Sequence, residues 1–243
     1  MSPLDALAIF LLAAGAASVQ SLTGIGFGLI IVPPLIFVIG AKEAVVVSNI
    51  LGAVLSIGLL SRIHSGVHWR MALTLFAAAI VGMPLGLWLL LAVDARTLQI
   101  IIAVTVIVFT VLLARGLRLH MAGLAGDLFV GLASGVLRTS TSMSGPPVII
   151  YMQGRQMDSA GFRSTITAFF VMSGLVGIGL FALGGRIDAD ALTASAVGLP
   201  AVLLGLAGGQ LLYRKVEEAR FRQSVQVILV VSAVAALTGA VVR

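Results

Sequence analysis

The sequence consists of long apolar runs separated by short loops that carry most of its charge. A helix needs about 20 apolar residues to cross the roughly 30 Å of hydrocarbon in a bilayer. Runs approaching that length predict spanning helices at residues 4–20, 44–60, 69–93, 98–114, 121–137, 164–183, 191–213 and 221–242. With 60% apolar and 10% charged residues, the 243 residues exceed what a soluble core can bury. We therefore expect an all-α integral membrane protein.

Two further apolar segments, 23–39 and 139–153, are interrupted by Gly, Pro, Ser and Thr. The first contains Gly24, Gly26 and Gly28 ahead of two prolines, and the second contains Ser142 and Gly145 ahead of two prolines. A helix broken inside a membrane exposes backbone dipoles that can bind a solute, and paired breaks indicate a transporter site. Whether these broken segments cross the membrane fully or dip and return is open at this point.

The chain also contains an internal repeat. At an offset of 117 residues Gly28 matches Gly145, and at an offset of 123 residues Gly82 matches Gly205 and Gly86 matches Gly209. The sequence therefore predicts one membrane domain, 1–243, made of copies 4–114 and 121–242 joined by a linker at 115–120. Each copy contains four long helices and one broken segment.

The distribution of Lys and Arg predicts the orientation of the repeats. If both broken segments cross, ten of these residues fall on one side of the membrane and five on the other. The richer side would be cytoplasmic by the positive-inside rule. Five crossings per copy invert the second copy and leave both termini on the non-cytoplasmic side. If both segments are re-entrant, the division becomes nine to six, which is a weaker asymmetry.

Composition also excludes several function classes. The net charge of +6 comes from short loops between apolar runs, so it indicates membrane orientation and not nucleic-acid binding. The chain has no cysteine, which excludes disulfides and thiolate chemistry. We expect the lipid bilayer and a small anion as partners, no cofactor and no metal, and the sequence is compatible with a homo-oligomer.

The motifs of the broken segments resemble those of a known family. The letters TGIGFG at residues 23–28, VP at 32–33 and SGPP at 144–147 lie in a two-copy chain of about 250 residues. This arrangement resembles the TauE/SafE family of membrane permeases, which often has further glycines where Phe27 and Ser144 stand here. The resemblance implies transport of sulfite, sulfoacetate or another organosulfonate across a bacterial cytoplasmic membrane, driven by the proton motive force.

The residue types in the broken segments point to an anion independently of that resemblance. Glycines let backbone N–H groups approach a solute, a helix N-terminus carries partial positive charge, and hydroxyl groups donate hydrogen bonds. The candidate binding residues in and beside the breaks are Gln20, Thr23, Gly24, Gly26, Gly28, Asn49, Arg138, Thr139, Ser142, Ser144, Gly145, Pro146, Gln153 and Arg163. The alternative interpretation is helix packing, which we favour for the Gly pairs 82/86, 131/135 and 205/209.

Three charged residues have candidate roles. Arg138 ends an apolar run and could neutralise an anion, or it could extend to the headgroups. Arg163 could contact the solute, or it could pair with Asp158. Asp127 lies inside an apolar stretch and is the candidate for proton coupling, with exposure to water near the interface as the alternative.

The sequence thus predicts a secondary transporter that works by alternating access. An anion channel or a membrane assembly subunit is the alternative, because both could use the same duplicated helices. An intramembrane enzyme would need a nucleophile with a base or paired carboxylates, and no such constellation is visible in the sequence.

Overall fold

The computed structural model describes residues 1–119, 121, 123–155 and 157–212, and these residues are helical without strands. The predicted helix 221–242 lies outside the described residues, as does the end of the second predicted copy. The helices, in chain order, are α1 (Pro3–Thr23), α2 (Phe27–Ile39), α3 (Ala41–Ile63), α4 (Trp69–Ala92), α5 (Ala95–Ala114), α6 (Leu124–Thr141), α7 (Gly145–Gly154), α8 (Ser159–Leu183) and α9 (Ala189–Leu212).

Six of the described helices are long and apolar enough to cross a membrane, namely α1, α3, α4, α5, α8 and α9. The predicted helix 121–137 corresponds to α6, which begins and ends later than expected. Although α6 has 18 residues, it is not among the six, because its last turns carry Arg138 and a run of hydroxyl side chains and its first turn carries Asp127.

Both predicted breaks are present, and each follows a left-handed residue. Gly24 ends α1 with φ 81°, and its N–H donates to the Gln20 carbonyl at 2.7 Å. Ser142 ends α6 with φ 61°, and its N–H donates to the Arg138 carbonyl at 3.1 Å. Ser142 is the one described non-glycine residue with positive φ, a conformation of the kind that costs about 1–3 kcal/mol and often occurs at functional sites.

The helices that follow the breaks are short. With a rise of about 1.5 Å per residue, the 13 residues of α2 reach roughly 20 Å and the 10 residues of α7 roughly 15 Å. Neither reaches the roughly 30 Å of a bilayer core. Thr23 belongs to the end of α1 and Thr139 to α6, so the interruptions themselves are shorter than the segments predicted from composition.

Glycines bring α4 and α6 into close contact. A methyl group at Gly82 would overlap the Leu132 carbonyl, and one at Gly86 would overlap the Val136 carbonyl. Because contacts advance together along both chains, α4 and α6 run in the same direction. Gly131 and Gly135 of α6 contact the backbone of α4 in turn. The packing role predicted for these glycines is confirmed.

The same contact recurs between α9 and α1. A Cβ at Gly205 would lie 2.5 Å from the Ala14 carbonyl oxygen, and one at Gly209 would lie 2.6 Å from the Ser18 carbonyl oxygen. These two helices therefore also run in the same direction, and the packing role predicted for this third glycine pair is confirmed.

Helices α3 and α8 lie between those two pairs and run antiparallel to each other. A Cβ at Gly177 would lie 3.0 Å from Asn49 Oδ1, and a Cβ at Gly174 would lie 2.9 Å from the Ala53 Cβ. The residue numbers of the contacts fall along α8 as they rise along α3, so the two helices are antiparallel. The two short helices α2 and α7 pack against this central pair.

Candidate functional site

The two helix breaks meet inside the protein. Gly28, in the first turn of α2, lies so close to Ser142 at the end of α6 that a methyl group on it would overlap the Ser142 carbonyl oxygen. Glycine is required here by the approach of two backbones and not by its φ. The chain segments that looked similar in the sequence are therefore in direct contact.

A cavity lies at this meeting point, with about 430 Å³ of space outside protein atoms, its opening included. Its walls come from both breaks and from α3 and α8. The lining residues are Gln20, Gly26, Phe27, Gly28, Leu29, Ser48, Gly52, Ser56, Arg138, Ser142, Met143, Ser144, Gly145, Pro146, Ile149 and Phe170. The structure thus brings together eight of the candidate residues predicted from the sequence: Gln20, Gly26, Gly28, Arg138, Ser142, Ser144, Gly145 and Pro146.

The cavity lies halfway along the central helices. Gly52 is the middle residue of α3, and a Cβ there would lie 3.3 Å from the Phe27 ring. On α8, Phe170 stands beside the midpoint, and its Cζ would lie 3.2 Å from a Cβ at Gly145. Since α3 and α8 are both long enough to span a bilayer, the cavity is near the middle of their span.

Arg138 is the charged group of the cavity. Its side chain is buried, with 6% of the residue exposed, and its Nη1 donates to Ser144 Oγ at 3.3 Å. The Nε and Nη2 atoms are buried and have no hydrogen-bond partner among the described residues. Within that part of the chain no carboxylate lies within ion-pairing distance of the guanidinium. A buried cation with unused donors is costly unless an anion or water supplies acceptors.

The groups around Arg138 are mostly donors of hydrogen bonds. Ser142 and Ser144 bring hydroxyl groups from the second break, whereas the Ser48 and Ser56 hydroxyls of α3 already donate to the Val45 and Gly52 carbonyls. The N-termini of α2 and α7 both open on the cavity, and the first amides of a helix have no acceptor within the helix. Such a combination of amides, hydroxyls and one guanidinium suits a small oxyanion.

Gln20 holds the first break in shape. Its Oε1 accepts the Phe27 N–H at 3.2 Å, across the interruption between α1 and α2. Its Nε2 donates to Ser56 Oγ at 3.3 Å, so the amide also connects α1 to α3. Gln20 is 3% exposed, and both ends of its amide have partners.

Asn49 and Arg163 lie behind the cavity wall, where each satisfies the end of a broken helix. Asn49 Nδ2 donates to the Arg138 carbonyl at 3.2 Å, and a guanidinium N–H of Arg163 donates to the Ser21 carbonyl. Carbonyls in the last turn of a helix take such donors, and the Arg138 carbonyl accepts the Asn49 amide in addition to the Ser142 N–H. The stem of Arg163 also covers Gly24, because a Cβ on that glycine would lie 2.6 Å from Arg163 Cγ.

Three other nominated side chains lie outside the cavity. Thr23 Oγ1 donates to the Val19 carbonyl at 2.9 Å within α1, and Thr139 Oγ1 donates to the Met83 carbonyl of α4 at 2.6 Å. Gln153 is half-buried near the end of α7, beyond the cavity.

Some lining residues were not nominated from the sequence. Ser48, Gly52 and Ser56 follow one another at four-residue spacing, which places them on one face of α3. That small and polar stripe in an apolar run was a usable signal. Apolar lining residues such as Met143 and Phe170 gave none, because they cannot be distinguished from core residues in so apolar a chain.

Asp127 is buried at the far end of α6 and bonded to α7. Its Oδ1 lies 2.5 Å from the Tyr151 hydroxyl, Tyr151 is fully buried, and Asp127 is 8% exposed. The Arg155 guanidinium lies 5.6 Å from the centre of the Tyr151 ring. In the described part of the chain, no three His, Asp or Glu side chains come together as metal ligands.

Comparison with known proteins places the chain in a family. The model of the Sulfite exporter TauE/SafE family matches residues 9–236, nearly the full length. The chain belongs to the TauE/SafE family. A curated relative, the Probable inner membrane transporter protein TsaS of Comamonas testosteroni, is 28% identical over 181 residues, covering 71% of this chain and 75% of the relative. No solved structure matches the chain significantly.

The family assignment agrees with the architecture. This TauE/SafE member is a multi-pass transmembrane transporter, and the six spanning-capable helices supply the membrane domain. The family resemblance derived from residues 23–33 and 144–147 is confirmed.

Proposed function

We propose that this protein is a secondary transporter that moves a small anion across the bacterial inner membrane by alternating access. The solute is sulfite, sulfoacetate or another organosulfonate, and the driving force is the proton motive force. The observation that carries the proposal is the buried guanidinium of Arg138, which opens on a cavity between two helix breaks and keeps two donors without partners. An oxyanion supplies both the missing charge and the missing acceptors.

The residues proposed to contact the anion are those that line the cavity. Arg138 neutralises the charge, while Ser142, Ser144 and the backbone at Gly28 and Gly145 donate hydrogen bonds. Gln20, Gly26 and Pro146 shape the walls. The remaining candidate residues do not line the cavity, and we propose that they position the broken helices. They are Thr23, Gly24, Asn49, Thr139, Gln153 and Arg163.

Alternating access requires two halves that can exchange roles, and we propose that residues 4–114 and 121–242 are inverted repeats joined by residues 115–120. In such a pair α3 is equivalent to α8, and the two helices run antiparallel, as inversion requires. The α4–α6 contact then corresponds to the α9–α1 contact, and both pairs run in the same direction.

The residues in those contacts support the same correspondence. Gly82 packs on Leu132, and its sequence match Gly205 packs on Ala14. Ala14 precedes Leu132 by 118 positions. Gly86 likewise packs on Val136, and its match Gly209 packs on Ser18. Ser18 again precedes Val136 by 118 positions. In this arrangement the chain reverses direction at each break. With the Arg-rich loops in the cytoplasm, both termini lie on the non-cytoplasmic side.

Asp127 is the proposed proton carrier. Its bond to Tyr151 joins α6 to α7, the short helix whose first turn forms part of the cavity. Protonation of the Asp127 carboxylate weakens its hydrogen bond with the Tyr151 hydroxyl, because a neutral acid is a poorer acceptor than an ionised one. It also removes a negative charge near Arg155, whose guanidinium lies over the Tyr151 ring. Movement of α7 would then connect proton binding with the exposure of the anion site.

Uptake by proteoliposomes tests this proposal. Purified protein should give saturable accumulation of a radiolabelled organosulfonate only when a pH gradient is imposed, and Arg138→Gln should abolish it. Rates far above carrier turnover, without saturation or gradient dependence, would identify an anion channel instead. Equal uptake by liposomes with and without protein would refute transport of that anion.

Asp127→Asn separates coupling from binding. We expect this variant to exchange labelled anion across the membrane without accumulation against a gradient, because the amide cannot carry a proton. Tyr151→Phe removes the bond but retains the carboxylate, and it should slow coupled transport less. Unchanged gradient-driven accumulation in Asp127→Asn would place the coupling residue elsewhere.

A further inference from the structure

The two breaks carry different side chains at equivalent positions. Gln20 lies four residues before the left-handed Gly24, and Arg138 lies four residues before the left-handed Ser142. In both cases the N–H of the left-handed residue donates to the carbonyl of the earlier one. Both side chains then reach across their own break, Gln20 to the Phe27 N–H and Arg138 to Ser144 Oγ. Position 20 is therefore the neutral counterpart of the cationic position 138.

This difference fixes the charge of the cavity. Among the described lining residues Arg138 is charged, and the others are neutral. Each break brings the N-terminus of one helix and the C-terminus of another, so the partial charges of the helix ends offset each other. The formal charge that the described lining offers a bound anion is thus one positive unit.

A buried site balances the charge of its ligand because an uncompensated charge away from water is expensive. A monoanion neutralises Arg138, whereas a dianion leaves one negative charge in the cavity. The apolar lining residues Phe27, Met143, Ile149 and Phe170 cannot compensate that charge, but they can contact a small apolar substituent.

We infer that the site selects monoanions with a compact oxyanion head and a small apolar substituent, and that Gln20 determines this selection against dianions. The inference rests on the proposed function and narrows its substrate class. Sulfite would be bound in its singly protonated form, and monosulfonates would be bound in preference to dianionic sulfoacetate.

Methyl sulfate and methyl phosphate form a matched pair of probes. They have the same tetrahedral head and the same methyl substituent. Methyl sulfate keeps one negative charge, while a phosphate monoester gains a second charge with a pKa of about 6. Binding of each to the purified full chain can be measured by calorimetry at about pH 5 and about pH 8, where roughly 1% of methyl phosphate remains singly charged at the higher value.

We expect the apparent affinity for methyl phosphate to fall by about 100-fold between these pH values, as its monoanion disappears. Affinity for methyl sulfate should change by less than about threefold, and it reports any titration of the protein itself. Equal or tighter binding of dianionic methyl phosphate would overturn the inference and leave the anion site intact. Failure of both probes to bind at either pH would refute the proposed site.

Gln20→Arg tests the assignment of the determinant. A second cation should restore binding of dianionic methyl phosphate and reduce the loss with pH to less than about 10-fold. Gln99→Arg, in the first turns of α5 and outside the cavity, is the matched control and should retain the wild-type preference. A folded Gln20→Arg variant with unchanged preference would overturn the role of Gln20, and the wild-type titration decides the selection of monoanions by itself.

Discussion

The two helix breaks both start at a left-handed residue, but they differ in chemistry. At the first, Gly24 and Gly26 form the turn, and the neutral Gln20 amide has a hydrogen-bond partner at both its oxygen and its nitrogen. At the second, Ser142 adopts a left-handed conformation despite its side chain, and the Arg138 guanidinium retains unused donors. The first break is built for shape and the second carries the charge and the strain.

This comparison teaches how the proposed pair of repeats can hold an asymmetric solute. The α4–α6 and α9–α1 contacts are similar in packing, because the glycines of α4 and α9 each meet the backbone of a neighbouring helix. A single exchange between the equivalent positions 20 and 138 gives the cavity a cation on one side only. Function at such a site depends on the difference between the breaks, while stability depends on what they share.

Replacing the charge of the second break should have the largest effect. Arg138→Gln removes the partner of the proposed anion, and losing one member of a buried charge pair costs about 2–5 kcal/mol, or roughly 30-fold or more in affinity. Calorimetry with methyl sulfate measures it. Arg186→Gln removes an ion pair with Glu43 at the edge of the protein and should bind like wild type. Equal affinity in both variants would remove Arg138 from the site.

Separating the two breaks should be next in effect. In Gly28→Ala the new methyl group overlaps the Ser142 carbonyl, so the breaks must move apart. Overpacking of this kind costs about 1–3 kcal/mol, and we expect a lower Tm together with weaker anion binding. Gly15→Ala is the control, since a Cβ there meets no atom within 4 Å. A Tm for Gly28→Ala that matches the control would mean that the breaks are not in contact.

Moving the guanidinium without removing it should have a smaller effect. In Gly174→Ala the added Cβ would lie 2.6 Å from Arg138 Nη2 and 2.9 Å from the Ala53 Cβ. The flexible guanidinium can shift, so we expect about a tenfold loss of methyl sulfate affinity with a modest fall in Tm. Gly179→Ala lies on the same helix and meets nothing within 4 Å. If the two variants bound the anion equally, Arg138 would not point toward α8.

Removing the Asn49 side chain, which donates to the end of α6 behind the second break, should give the smallest effect. Asn49→Ala removes one of two donors to the Arg138 carbonyl, which keeps the Ser142 N–H, so the loss is that of one hydrogen bond, about 0.5–1.5 kcal/mol of stability. Because Asn49 does not line the cavity, anion affinity should fall by only a few fold. Thermal unfolding and calorimetry on the same preparation distinguish these effects. A large affinity loss at unchanged stability would make Asn49 a direct ligand.

The helical membrane class and the positions of both breaks were predictable because hydropathy and Gly/Pro content are local properties of the sequence. The end of α6 was not, because Arg138 and the hydroxyl run looked like the start of the break although they continue the helix to Thr141. Asn49 and Arg163 were nominated as binding residues because they are polar and near the breaks, but sequence could not reveal that each donates to a helix carbonyl. Such distinctions depend on tertiary contacts.

The absence of cysteine makes one measurement especially direct. Ser48→Cys introduces a single thiol into the cavity wall without touching either break. Its rate of labelling by a small water-soluble thiol reagent should fall when methyl sulfate is bound, and this protection should disappear when Arg138→Gln is added. Labelling that ignores methyl sulfate, or protection that survives the loss of Arg138, would contradict an anion site between the two breaks.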